Sequence, residues 1–178
     1  AVAQAIDAAH ARHGYSIHIN CHSMPAISAS HATDFPGLVH ADFVVGDRDG
    51  TTASPALSAL VCEHLRACGY SVEYNHPYKG VELVRRYGNP AQQRHSIQVE
   101  INRKLYMDER TRAKTPGFTR LARDVERERR VDPNIRGCSD IRRRDAIRLA
   151  LHRRQLLRGL FPRRMRGAKA YRRHPRLS

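Results

Sequence analysis

Residues 95–103 read His-Ser-Ile-Gln-Val-Glu-Ile-Asn-Arg, and they decide the fold because apolar and polar side chains alternate along them. A period of two predicts a β-strand over 96–102 with one face toward a core. One face carries Ile97, Val99 and Ile101, and the other carries Gln98, Glu100 and Asn102. A carboxylate in the middle of such a strand needs either an ion-pair partner or a function, because buried carboxylates are rare unless paired.

The segments around this strand supply helices and further strands. An Ala-rich helix is predicted over 1–13 with its end at Gly14, and Ser54-Pro55 begins a second helix whose apolar residues keep helical spacing up to Gly69. The remaining predictions are strands over 15–24, 41–45 and 70–74, a short helix ending near Gly88, and a helix starting at Thr115-Pro116. This order predicts an α/β fold with a mixed sheet flanked by helices, because some connections are too short to hold a helix.

Polar side chains are predicted where two of these strands end. In the strand over 15–24, His18, Asn20 and His22 share one face, which emerges at the carboxyl end of the strand. Asp47 and Arg48 follow directly on the apolar run 41–45. Since α/β sheets bind ligands at strand ends, these side chains are candidates for a site.

The excess of positive over negative charge is confined to the last part of the chain. The formal net charge is +15, yet residues 1–108 hold nine Lys/Arg against ten Asp/Glu, and residues 109–178 hold 23 against seven. The sequence therefore predicts a globular domain over 1–128 and a weakly ordered, Arg-rich C-terminal extension over 129–178, in which 145–160 could form a basic amphipathic helix. Non-specific nucleic-acid binding through this extension is an alternative function, although no nucleic-acid-binding motif is found.

The sequence contains no apolar run of about 18 residues and no secretory signal pattern, which favours a cytoplasmic protein without a membrane span. The four cysteines form no C-x-x-C pair and are expected to be reduced. The sequence leaves the oligomeric state open.

Four segments, taken in order, resemble one enzyme family. They are 20–25 (Asn-Cys-His-Ser-Met-Pro), 46–51 (Gly-Asp-Arg-Asp-Gly-Thr), 75–80 (Asn-His-Pro-Tyr-Lys-Gly) and 95–109, which ends in Leu-Tyr-Met-Asp-Glu. Their order and spacing resemble the N-formylglutamate amidohydrolase (deformylase) family from about residue 5 to about residue 125. Each segment alone is a weak signal, whereas the ordered set is specific.

The resemblance implies a fold similar to that of zinc carboxypeptidases and aspartoacylase-like hydrolases, also called the phosphorylase/hydrolase-like fold. It implies hydrolysis of N-formyl-L-glutamate to formate and glutamate in histidine degradation. His22 matches a metal ligand, with zinc or another divalent metal as cofactor, and Glu100 matches the general base that later acts as general acid. Without the resemblance, His22 would be read as a hydrogen-bonded strand residue, and Glu100 equally well as a buried ion-pair partner.

A dicarboxylate substrate requires cations in its site. Arg48 and Arg103 are the leading candidates because a guanidinium group matches a carboxylate with two parallel hydrogen bonds, and Lys79 could serve as a point charge. Arg103 could instead form an ion pair with Asp108.

Three further residues are candidates for polar contacts with the substrate. Asn75 and Tyr78 could donate hydrogen bonds to it, and His95 could line the site. Their alternative roles are loop construction for Asn75 and Tyr78 and a solvent-facing position for His95.

The sequence also departs from the family pattern. Asn20 stands where the family usually has Asp, and Val81 replaces a usual glycine. A Pro-His-Ser-Gly element, expected to supply another metal ligand, and an Asn-Arg element have no counterpart. The expectation is therefore an incomplete domain with little or no activity, and a non-catalytic remnant of the fold is the other alternative.

Overall fold

The computed structural model describes residues 1–127. The predicted Arg-rich extension over 129–178, with its helix at 145–160, lies outside the described residues and stays a prediction. The helices are α1 (Val2–His13), α2 (Pro55–Ala67), α3 (Glu82–Tyr87) and α4 (Gly117–Arg127). The strands are β1 (Ser16–Met24), β2 (Phe43–Gly46), β3 (Val72–Tyr74) and β4 (Arg94–Asn102). Every helix and strand predicted within residues 1–127 is present.

Local chemistry explains where the elements begin and end. Ser54 caps α2, since its hydroxyl oxygen accepts a hydrogen bond from the Leu57 N–H, and Gly14 ends α1 in a left-handed conformation at φ 78°. Strand β2 starts at Phe43 rather than at 41, and just before it Asp42 and Ser71 each accept the backbone N–H of the other through a side-chain oxygen.

The four strands form one mixed sheet in the order β1-β4-β2-β3. Strands β1 and β4 are parallel, β2 and β3 are parallel, and β4 is antiparallel to β2. The prediction of a mixed sheet is confirmed. The carboxyl ends of β1 and β4 consequently lie at one edge of the sheet, and those of β2 and β3 at the other.

The two faces of the sheet differ in character. Ile97, Val99 and Ile101 pack with α2, α4 and Tyr106 in the hydrophobic core, as the alternation predicts. The opposite face is polar along β1 and β4, yet it is also covered, since α3 packs over both strands. Residues 95–102 of the central strand β4 are all buried. None of the helices in residues 1–127 combines the length and apolar character that a membrane span requires.

Candidate functional site

Three side-chain pairs line the polar face of β1 and β4. The parallel register sets His18 opposite Ser96, Asn20 opposite Gln98 and His22 opposite Glu100. Two of these pairs are hydrogen-bonded, with 2.8 Å from His18 Nδ1 to the Ser96 hydroxyl and 3.3 Å from Asn20 Nδ2 to Gln98 Oε1. The three pairs place two histidines, His18 and His22, and the carboxylate of Glu100 on one face of the sheet.

The third pair joins the imidazole and the carboxylate that the sequence singled out. Nδ1 of His22 lies 3.3 Å from Oε1 of Glu100. The Glu100 side chain is 9% exposed and that of His22 is 38% exposed, so the pair is reached by solvent mainly from the His22 side. The parallel register produces this contact directly, because residues opposite each other in a ladder share a face.

Burial controls the ionisation of Glu100. Burial raises the pKa of the Glu100 carboxyl, and although His22, the Gln98 amide and the Arg103 charge act in the opposite direction, the pKa remains raised. A carboxyl whose pKa is moved toward neutrality is a better proton acceptor and donor near pH 7 than an ordinary one.

Arg103 lies close enough to Glu100 to act on it electrostatically. Its Nε is 3.1 Å from Oε1 of Glu109, and Oε2 of Glu109 accepts the Ala26 N–H at 3.2 Å. The predicted alternative partner, Asp108, instead accepts a hydrogen bond from the Thr111 N–H. Glu109 therefore forms an ion pair with Arg103 beside the segment that follows β1, although Nε makes no hydrogen bond within residues 1–127.

Arg48 reaches the same face from the other edge of the sheet. Its Nη1 donates to the Gly80 carbonyl at 3.1 Å, and the next residue, Val81, donates its N–H to Gln98 Oε1 at 3.0 Å. Gln98 precedes Glu100 by two residues, a rise of about 7 Å along the strand. The Gly80 carbonyl that anchors the Arg48 guanidinium is therefore next in the chain to a residue that contacts Gln98 on the same face as Glu100.

A buried carboxylate holds the two loops that carry these residues. The loops are 46–52 and 75–80, and Asp47, which is fully buried, joins them. Its oxygens accept hydrogen bonds from Ser58 Oγ and the Tyr74 hydroxyl at 2.6 Å each, Gly50 N–H at 2.8 Å and Asn75 Nδ2 at 2.9 Å. Burial alone would raise the pKa of Asp47, but these hydrogen bonds outweigh it and the pKa is lowered.

The same two loops also touch through their backbones. Arg48 N–H donates to the Lys79 carbonyl at 2.8 Å. A Cβ atom at Gly46 would lie 2.7 Å from the Lys79 carbonyl carbon and 2.8 Å from the Tyr78 carbonyl oxygen. Only glycine allows this approach, which explains why position 46 is a glycine.

Three predicted substrate contacts are engaged in this loop structure. The side-chain oxygen of Asn75 accepts the Asp47 N–H at 2.9 Å while its nitrogen donates to the Asp47 carboxylate, so its alternative role in loop construction is what the structure shows. Tyr78 stacks on His40, with ring centroids 5.5 Å apart. The exposed Lys79 forms an ion pair with Asp49 at 2.8 Å.

The structure places His95 on the other face of the sheet from Glu100. His95 lies an odd number of residues from Glu100 on β4, so alternation turns it to the opposite face. There it is 4% exposed, and its Nδ1 accepts a hydrogen bond from the Ser54 N–H at 3.2 Å. It supports the start of α2, and the alternative of a solvent-facing position is wrong because the residue is buried.

The residues described do not by themselves complete a metal site. His22 uses Nδ1 toward Glu100, and within residues 1–127 its Nε2 carries no hydrogen bond, so this nitrogen is available to a metal. Zinc in hydrolases takes about three protein ligands. No group of three His, Cys, Asp or Glu side chains in residues 1–127 is arranged to hold a metal ion. The described donor set therefore fits one ligand and not a whole centre.

Comparison with known proteins identifies relatives of one kind. The family model described as N-formylglutamate amidohydrolase matches residues 1–107. An N-formylglutamate deformylase of Pseudomonas aeruginosa is 37% identical over 103 residues, covering 56% of this chain and 36% of the relative. One from Pseudomonas putida is 37% identical over 71 residues, covering 38% and 26%.

A solved structure agrees with these sequence matches. The crystal structure of N-formylglutamate amidohydrolase from Ralstonia eutropha JMP134 superimposes with a TM-score of 0.65 and 47% sequence identity, over 69% of this chain and 44% of that one. The chain spans only 36% and 26% of the length of the two curated relatives. With more than half of its residues matched by the family model, the chain belongs to the N-formylglutamate amidohydrolase family.

Proposed function

We propose that this chain carries part of the catalytic site of an amidohydrolase that converts N-formyl-L-glutamate and water into formate and L-glutamate, a step of histidine degradation. The observation that carries the proposal is the 3.3 Å contact between His22 and the buried Glu100. The names of the relatives point to the substrate, since they are N-formylglutamate deformylases and amidohydrolases.

Glu100 has the properties of a general base in this reaction. It would remove a proton from the attacking water as the oxygen bonds to the formyl carbon, and then return that proton to the glutamate nitrogen as the C–N bond breaks. The raised pKa of Glu100 suits both steps, because the group must accept a proton and give it up again near neutral pH. His22 would orient the carboxylate through Oε1.

The substrate carries two carboxylates, and two arginines approach this face from opposite ends. Arg103 acts on the pKa of Glu100, and Arg48 is anchored at Gly80, next to the Val81–Gln98 hydrogen bond. We assign these two guanidinium groups to the substrate carboxylates. Tyr78 and Lys79 lie on the loop beside Gly80 and would form one wall of the substrate-binding pocket. Asn75 would stabilise this loop through its hydrogen bonds to Asp47.

A divalent metal, zinc by preference, is part of the proposal. When bound, it would supply Lewis acidity toward water and the formyl oxygen. Nε2 of His22 would be one ligand, and the remaining ligands would have to come from outside residues 1–127.

The proposal is tested by supplying the full 178-residue chain with zinc and N-formyl-L-glutamate and measuring formate and glutamate together. We expect slow but equimolar release, because no three His, Cys, Asp or Glu side chains in residues 1–127 are arranged to hold a metal ion. N-formyl-L-glutamine, which lacks the distal carboxylate, is the comparison substrate and should react more slowly. Release no faster than in buffer with zinc alone would refute the activity of this chain.

Replacing Arg48 by alanine should raise KM for N-formyl-L-glutamate about 10- to 100-fold. The reason is the loss of one charge-assisted hydrogen bond to a substrate carboxylate, worth ~1.5–3 kcal/mol. Lys79→Ala should change KM less than threefold, because Lys79 is exposed and already paired with Asp49. Arg12→Ala, on the exposed surface of α1, is the matched control. Steady-state kinetics of the three variants decide the assignment, and equal effects of Arg48→Ala and Arg12→Ala would contradict it.

A further inference from the structure

We propose that Gln98 is the positioning residue of Glu100, holding one carboxylate oxygen so that the other faces the reacting water. The inference rests on the proposed function in one respect, namely that Glu100 is the general base. Gln98 is 2% exposed, and its Nε2 donates to Oε1 of Glu100 at 2.8 Å. The two residues stand two apart on β4, so their side chains project from the same face.

The orientation of the Gln98 amide is fixed by the backbone. Its Oε1 accepts the Val81 N–H at 3.0 Å, and a backbone N–H can only donate. The Asn20 amide nitrogen donates to the same oxygen at 3.3 Å. A flipped amide would set Nε2 against the Val81 N–H, so the nitrogen must point toward Glu100.

Two donors therefore converge on one oxygen of Glu100. Gln98 Nε2 and His22 Nδ1 both approach Oε1, at 2.8 and 3.3 Å. Within residues 1–127, Oε2 carries no hydrogen bond. An anchored oxygen beside a free one fixes the plane of the carboxylate and leaves a defined position for proton transfer.

The same amide joins the base to the substrate pocket. Val81 follows Gly80, whose carbonyl accepts the Arg48 guanidinium, so Gln98 connects the Arg48 loop with Glu100 through two hydrogen bonds. A shift of the loop that carries Gly80 and Val81 would therefore change the position of the Glu100 carboxylate. Leucine at position 98 would fill a similar volume and break both links.

The first arm of the test does not depend on activity. In the full chain, the side-chain amide signals of Gln98 are assigned by 1H–15N NMR as the pair missing from Gln98→Leu. Glu100→Gln should move this pair, because its charged acceptor becomes neutral, while the signals of the exposed Gln4 stay in place. An unmoved Gln98 pair would overturn the proposal.

The second arm separates positioning from a merely structural role. Gln98→Leu should lower kcat for N-formyl-L-glutamate about 10-fold or more at nearly constant KM, as is common when a residue that orients a catalytic group is removed. Gln98→Asn, whose shorter amide cannot span both contacts, should behave alike, and Gln4→Leu should not differ from wild type. An unchanged kcat in folded Gln98→Leu would overturn the proposal.

The two arms distinguish the possible failures. If the wild-type chain does not turn over, the proposed function of the chain fails, and the NMR arm alone decides whether Gln98 holds Glu100. If Gln98→Leu does not fold, the amide pair that changes identity in Gln98→Asn assigns the Gln98 signals, and the Glu100→Gln spectrum together with the kcat of Gln98→Asn gives the decision.

Discussion

Glu100→Gln should lower turnover of N-formyl-L-glutamate about 1000-fold without destabilising the chain. The loss in rate follows because glutamine cannot accept the proton of water, and general bases contribute ~100- to 10,000-fold. The geometry should survive, since the glutamine oxygen can still accept from Gln98 and His22. The same change would therefore separate catalysis from folding.

The stability of Glu100→Gln has a defined pH dependence in the metal-free chain. The pKa of Glu100 is raised in the folded state, so its contribution to stability is present below the unfolded pKa of about 4.3 and is lost as pH rises through the folded pKa. Glutamine has no such loss. Urea unfolding at pH 8 should give a variant at least as stable as wild type, with Glu63→Gln as the exposed control. A clear destabilisation at pH 8 would mean that Glu100 serves the fold.

Asp47→Ala should lower the free energy of unfolding by about 3 kcal/mol. The carboxylate is fully buried and satisfies four donors, and alanine would leave Ser58, Tyr74 and Asn75 without it in a buried setting. The measurement is urea denaturation at pH 7. The matched control is Asp49→Ala, two residues on, which removes an exposed ion pair with Lys79 and should cost less than about 1 kcal/mol.

The Asp47 contribution should also disappear in acid. Its folded pKa is lowered, so the stabilisation is present above the unfolded pKa of about 3.9 and is lost as pH falls through the folded value. Wild type should lose stability on acidification below about pH 4, and Asp47→Ala should lose less. Parallel acid profiles of the two proteins would show that Asp47 is not the buried charge the structure indicates.

The sequence predicts the elements and the faces of this fold well, because both depend on local periodicity. Alternation along 96–102 separates Ile97, Val99 and Ile101 from Glu100, and the structure confirms that separation. The same periodicity in β1 puts His22 on the polar face. The contact between His22 and Glu100 forms only because β1 and β4 pair in parallel, and the sequence alone does not specify this pairing.

The sequence gives less information about contacts between distant loops. Nothing local marks Asp47 as the buried acceptor of Ser58, Tyr74 and Asn75, because its partners come from α2, β3 and the next loop. The motif predicts that His95 lines the site, yet counting by two along the strand from Glu100 puts His95 on the other face. Alternation predicts the correct face for Gln98, but its role depends on the Val81 N–H, which only the folded chain brings into contact with it.

The central claim, that His22 and Glu100 work as one hydrolytic unit, is tested most directly by a double-mutant cycle. N-formyl-L-glutamate hydrolysis is measured at saturating zinc for the wild type, His22→Ala, Glu100→Gln and the double variant. If the two residues act together, each single change removes nearly all turnover and the double variant is no slower than the slower single one. Turnover retained by either single variant, or independent effects that multiply in the double variant, would contradict the account.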